Sequence, residues 1–146
     1  MKRHASVIWN GSLTKGSGRL ESTQSGALGG LPLSFKARFE DETGRSGTNP
    51  EELIAAAHAA CFSMQLAHML AEGGTPAESL DVKAEIDLQP KQGGGFEIRG
   101  SALTVNGTVP GMEEAKFKEI AAKAKEICPV SAALKAIPIT LEARFA

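Results

Sequence analysis

The stretch TNPEELIAAAHAACFSMQLAHMLAEGG, residues 48–74, decides the fold. It opens as a helix start. Asn49 is a capping residue, Pro50 stands at the first helical position where no N–H is needed, and Glu51 and Glu52 set carboxylates against the positive end of the helix dipole. No Asp, Glu, Lys or Arg then occurs until Glu72, and Gly73-Gly74 supplies the stop. The pattern predicts one helix from residue 50 to 71 or 72. Its uncharged run approaches the roughly 20 residues that span a bilayer. His58, Ser63, Gln65 and His68 interrupt it, however, and glutamates flank it where a true span carries Lys or Arg anchors. A buried core helix is expected, and no membrane association.

On the N-terminal side, residues 3–9 read as a strand, and Gly16-Ser17-Gly18 turns the chain into a second one at 19–23. Leu33, Phe35, Ala37 and Phe39 alternate with Ser34, Lys36, Arg38 and Glu40, which predicts a half-buried third strand with Arg38 on its polar face. A loop at 41–47 leads into the helix. On the C-terminal side, Leu80, Val82, Ala84, Ile86 and Leu88 alternate with charged residues, and Gly93-Gly94-Gly95 turns the chain back through Phe96, Ile98 and on to Val105. The inward parity changes near Gly100, so a bulge is expected there. Phe117, Ile120, Ala121, Ala124 and Ile127 follow helical spacing over residues 112–127. Pro129 ends that helix, a short helical turn follows to 136, and Ile139, Leu141, Ala143 and Phe145 form a closing strand. No internal repeat or low-complexity segment is evident.

The expected class is α+β, with a mostly antiparallel sheet, a long buried central helix and a second, amphipathic helix. At 146 residues and 42% hydrophobic content, residues 1–146 suffice for a single domain with its own core. A helix apolar nearly all round must be covered on every side. One sheet and one amphipathic helix do not cover it, so an obligate homodimer is expected. The net charge of −1, with both signs interspersed, gives no footprint for nucleic acid. The N-terminal apolar run is too short for a secretory signal, so a cytoplasmic location is expected. In that reducing compartment two cysteines point to catalysis or sensing instead of a structural staple, although a cysteine also fills core space.

Cys61 lies in mid-helix, where burial alone would raise its pKa, so a reactive Cys61 needs a nearby cation. Arg38 leads, because a guanidinium stays charged when desolvated and can hold a thiolate and a carboxylate together. Arg19, Arg45 and Arg3 are alternatives. Glu51 could orient the arginine, but ten helical residues, roughly 15 Å of rise, separate it from Cys61, so the two cannot touch in one regular helix. Simple compensation of the helix dipole also accounts for Glu51 and Glu52. Cys128 precedes Pro129, where a new helical turn offers free N–H groups to a thiolate. His58, three residues before Cys61, permits a Cys–His nucleophile or half of a metal site with Met64 or His68, or a hydrogen-bonded core histidine. No third ligand or orienting carboxylate stands at fixed spacing, which weighs against both the nucleophile and the metal reading. Gly26, Gly29 and Gly30 do not follow a nucleotide-binding pattern.

Residues Asn49 through Met64, and Ala124-Lys125-Glu126-Ile127-Cys128-Pro129-Val130-Ser131, closely resemble the two cysteine motifs of the osmotically inducible protein C (OsmC) family, and the likeness extends over nearly the whole chain. The resemblance implies an OsmC-like fold, an intertwined homodimer with active sites at the interface, and a peroxiredoxin-type thiol peroxidase of organic hydroperoxides acting in stress defence. By matching positions it makes Cys61 the peroxidatic cysteine, Cys128 the resolving one, and Arg38 with Glu51 the activating pair. The related organic hydroperoxide resistance group takes its arginine from an earlier segment, near Arg19 here. The implied cycle runs through a Cys61 sulfenic acid and a Cys61–Cys128 disulfide, which an external dithiol or lipoyl-type reductant restores, and it needs no metal or organic cofactor. Apolar lining would favour bulky organic peroxides over hydrogen peroxide. A non-enzymatic redox sensor using the same cysteine pair, or a small-ligand binding module with inert cysteines, are the competing readings. Steady turnover of cumene hydroperoxide with a dithiol counts against the sensor, and thiol titration before and after one equivalent of peroxide separates the enzyme from the binding module.

Overall fold

The structure is a computed structural model describing residues 1–146. It comprises two compact units, Met1–Leu53 and Ile54–Ala146.

The first unit carries β1 (Ala5–Asn10), β2 (Ser17–Thr23) and β3 (Pro32–Ser34) in one antiparallel sheet of that order. Gly18 lets β1 and β2 come together around Trp9, since a Cβ there would stand 2.7 Å from the Trp9 ring and 2.5 Å from the Ile8 carbonyl oxygen. The expected third strand over residues 33–40 is corrected. Only Pro32–Ser34 is extended, and Phe35–Phe39 forms a short helix, α1. Ser34 is the reason, because its hydroxyl accepts the Ala37 N–H at 3.0 Å and caps the turn. Phe35 and Phe39, four apart, then pack ring against ring with centroids 4.9 Å apart. Arg38 therefore projects from a helix and not from a strand. After it, the Asp41 carboxylate accepts N–H bonds from Thr43, Arg45 and Ser46 and pins the loop.

The predicted long helix is α2 (Pro50–Glu72), and its cap is the expected one: Asn49 Oδ1 accepts the Glu52 N–H at 2.8 Å. Gly74, at φ +79°, ends it in a conformation that glycine adopts without strain. By length and composition alone α2 could cross a membrane. In the fold it lends one stripe, His58, Phe62, Leu66 and Leu70, to the core, with every member fully buried.

In the second unit β4 (Ser79–Pro90), β5 (Phe96–Thr108) and β6 (Ile139–Phe145) form a sheet in that order. The hairpin β4–β5 is antiparallel, with the expected bulge where Asp87 pairs with Gly100 but Leu88 with Ile98. β6 returns parallel to β5 after α3 (Glu114–Ile127) and α4 (Pro129–Ala133). Leu103 and Val105 of β5, Phe117, Ala121 and Ala124 of α3, and Phe62, Leu66 and Leu70 of α2 make one core. Gly107 of β5 is required by it, since a Cβ there would be driven into the Phe117 ring.

Candidate active site

Cys61 and Cys128 are 67 positions apart in the chain, yet α2 and the α3–α4 junction bring their sulfurs to 3.3 Å. Both are free thiols. Closing from 3.3 Å to a disulfide's ~2.05 Å is a small movement. The two differ in access: Cys61 is half-buried, whereas Cys128 is wholly sealed in the core.

They also differ in acidity. Burial pushes the Cys61 thiol up from its ordinary value; the Val130 N–H opposes this without overcoming it. Burial likewise works against ionisation of Cys128. There the Ser131 N–H and hydroxyl, with the neighbouring Cys61 thiol and the Val130 N–H, outweigh it and bring the thiol below its ordinary value. Cys128 is the N-cap of α4, with Pro129 at the start of the helix. The neutral thiol makes no capping bond, but the free N–H groups beside it favour the anion, as the Cys128-Pro129 sequence predicts.

His58 is a satisfied core residue. Its Nδ1 lies 2.8 Å from the Ser101 hydroxyl and its Nε2 2.8 Å from the Ser131 hydroxyl. Burial holds its pKa below the ordinary value, so the ring is neutral. Both nitrogens are occupied, which removes the readings of His58 as a base on Cys61 or as half of a metal site. His68 instead faces Glu72 at the exposed end of the helix, 3.7 Å away. Sequence reasoning found His58 but missed both serines. Ser131, three residues after Cys128 as His58 is three before Cys61, carries a faint signal in its spacing; Ser101 carries none.

Arg38 and Glu51 meet within the first unit. Arg38 Nη2 donates to Glu51 Oε1 at 2.7 Å and Nε to Oε2 at 3.1 Å, a two-pronged fork that lysine could not make. The guanidinium also rests over the Phe39 ring, 4.9 Å from its centre. Glu51 is thus engaged by a cation and not merely placed at a helix end. Arg19, by contrast, pairs with Glu21 on the open surface. Arg38 forms part of the wall of a cavity of about 360 Å³ whose other walls include Trp9, Leu13, Leu33, Phe35 and Phe39. The lining is mostly aromatic and aliphatic, with polar Ser34, Thr48 and Asn49 and the one charge of Arg38, a chemistry suited to an apolar tail with a polar head.

Residues 42–142 match the family model of OsmC-like proteins. The chain is 48% identical over 134 residues to Peroxiredoxin OsmC of Escherichia coli K12, covering 92% of this chain and 90% of that one. The crystal structure of the organic hydroperoxide resistance protein OhrB of Bacillus subtilis superposes with a TM-score of 0.69 at 27% identity over 98% of both chains. An organic hydroperoxide resistance protein OsmC from Legionella pneumophila gives 0.71 at 25% identity, over 97% of this chain and 96% of the other. With its two thiols in contact and these relatives matched along their length, the chain belongs to the OsmC-like family.

Proposed function

We propose that this chain is a two-cysteine thiol peroxidase that reduces organic hydroperoxides, with hydrogen peroxide a poorer substrate. The observation that carries the reading is the 3.3 Å contact between one accessible and one sealed thiol. The Cys61 thiolate displaces the alkoxide from the terminal peroxide oxygen. An S–O bond forms, the O–O bond breaks, and the alkoxide takes up the proton that the thiol had shed and leaves as alcohol. Cys128 then attacks the Cys61 sulfenic acid, water departs, and an external dithiol or lipoyl-type reductant restores both thiols. Accessibility favours Cys61 as the sulfur that meets peroxide, and the stabilised thiolate of Cys128 suits the second attack.

Burial opposes ionisation of Cys61, so the reaction needs a positive charge brought to it. Arg38, oriented by Glu51, fills that role in this reading, within a homodimer whose active sites form at the interface. Exposed apolar side chains on both units, among them Leu13, Met64, Phe96 and Ile127, support a partner copy. The cavity beside Arg38 supports the preference for a substrate with an apolar tail. Residues 1–146 work as a single peroxidase domain in the cytoplasm, where dithiols are at hand.

The test is consumption of cumene hydroperoxide with a lipoyl-type dithiol. The parent should turn over, Cys61→Ser should consume none, and Cys128→Ser should consume about one equivalent and stall or over-oxidise. Equal first-turnover rates in Cys61→Ser and the parent would overturn the assignment.

A further inference from the structure

A buried histidine whose two ring nitrogens bond to serines remains unused by this cycle. His58 is fully buried, and Ser101 and Ser131 on either side of it are 3% and 5% exposed. Both ring nitrogens are within 2.8 Å of a hydroxyl, and no buried side-chain polar atom in the chain lacks a partner. A core that needed only volume at this place would be filled by an aliphatic side chain without three polar groups to satisfy.

A neutral imidazole has one N–H and one lone pair. One serine must therefore donate to the ring while the other accepts from it, and the chain of bonds has a direction. If Ser131 donates to Nε2, its only hydrogen is spent on the ring. If instead the Ser101 hydroxyl donates to Nδ1 and Nε2–H donates to Ser131, the Ser131 hydrogen is free. Cys128 caps α4 and Ser131 stands three residues on, in the first turn of that helix, where N–H groups face a capping side chain, and the Ser131 N–H and hydroxyl lower the Cys128 pKa. An anionic sulfur selects the second direction, since only then does it receive the hydroxyl hydrogen.

We infer that Ser101, His58 and Ser131 form a directional relay that aims the Ser131 hydroxyl at the Cys128 sulfur and thereby speeds closure of the Cys61–Cys128 disulfide. His58 and Ser101 are positioning residues acting through Ser131. The inference rests on the proposed reading of Cys128 as the resolving cysteine. In the step concerned, the electron pair of Cys128 forms the S–S bond and the S–O bond of the Cys61 sulfenic acid breaks with its pair going to oxygen. The departing hydroxide ends as water with the proton shed by the Cys128 thiol. A sulfur whose thiolate is stabilised makes that attack more often.

The experiment has two arms. Thiolate absorbance at 240 nm is titrated in the Cys61→Ser background, where Cys128 alone reports, and disulfide closure is timed after one equivalent of cumene hydroperoxide in proteins carrying both cysteines. Ser131→Ala should move the Cys128 titration to higher pH and lower the ratio of closure rate to peroxide consumption by about tenfold, the order expected for one hydrogen bond to a charged group. Ser131→Thr, which keeps the hydroxyl, should restore both. Ser101→Ala, two bonds removed from the sulfur, should shift the titration in the same direction by a smaller amount, and so should His58→Gln if it folds. A change confined to thermal stability in Ser131→Ala and Ser101→Ala, with the titration as in Cys61→Ser alone, would overturn the relay. A shift in Ser131→Ala without one in Ser101→Ala would also overturn it, leaving Ser131 to act alone. The titration arm needs no peroxide, so failure of the parent to turn over would sink the peroxidase reading and leave the relay to be judged on its own data.

Discussion

The two sulfurs share one N–H group, that of Val130, but only Cys128 has Ser131 as well. Titration of the reduced parent should therefore release two thiol protons in separate steps, one below and one above the ordinary thiol value, belonging to the pair as a whole. Absorbance at 240 nm checks this; a single step at the ordinary value would contradict it. The linkage to stability has opposite signs at the two sites. The depressed Cys128 contributes stability that is full above its unfolded value and fades as pH falls through its folded one. The raised Cys61 contributes stability that is full below its unfolded value and is lost as pH rises through its folded one. Both cysteines and Glu51 are legible in the sequence because each sits in a cysteine motif or beside a capping signal, whereas Arg38 is legible by its charge alone, its strand setting being replaced by α1. Ser101 is not, because only the passage of β5 alongside α2 gives its hydroxyl anything to do.

Among the elements, α1 is the one that positions Arg38, and its single turn depends on one cap. Ser34→Ala should cost about 1 kcal/mol in urea denaturation and reduce kcat/KM for cumene hydroperoxide, while Ser34→Asp, which can still cap, should retain most of both. The same residue explains why α1 is misread as a strand. Apolar–polar alternation over eight residues also accommodates one helical turn flanked by extended chain, and a serine cap weighs little in a periodicity count. α2 escapes this ambiguity through its length, its Asn49-Pro50 start and its Gly73-Gly74 stop. The hairpin bulge is legible because parity changes at Gly100. The parallel seating of β6 on β5 leaves no trace in the alternation of β6, which reads the same in either direction.

Over the whole molecule, apolar surface is left in the open. Met64 on α2 is 73% exposed in the single chain, and Trp9, Leu13, Phe96 and Ile127 add to it. A stable dimer buries on the order of 1,600 Å² in total, and a charge set into its apolar centre would be left without a partner. Met64→Glu should shift sedimentation toward the monomer and lower peroxidase turnover in parallel; a dimer unchanged in mass would exclude Met64 from the interface. A helix with so few charges has no face made for water, and α2 is therefore the element on which the expectation of a second copy rests. The resting distance between the cysteines bears on the molecule at this scale too. Two atoms that already touch need travel only about an ångström to bond, so closing this disulfide asks little rearrangement of the side chains that hold it. Such a pair is fitted to repeat one chemical task, since each round of bonding and release disturbs few of its neighbours.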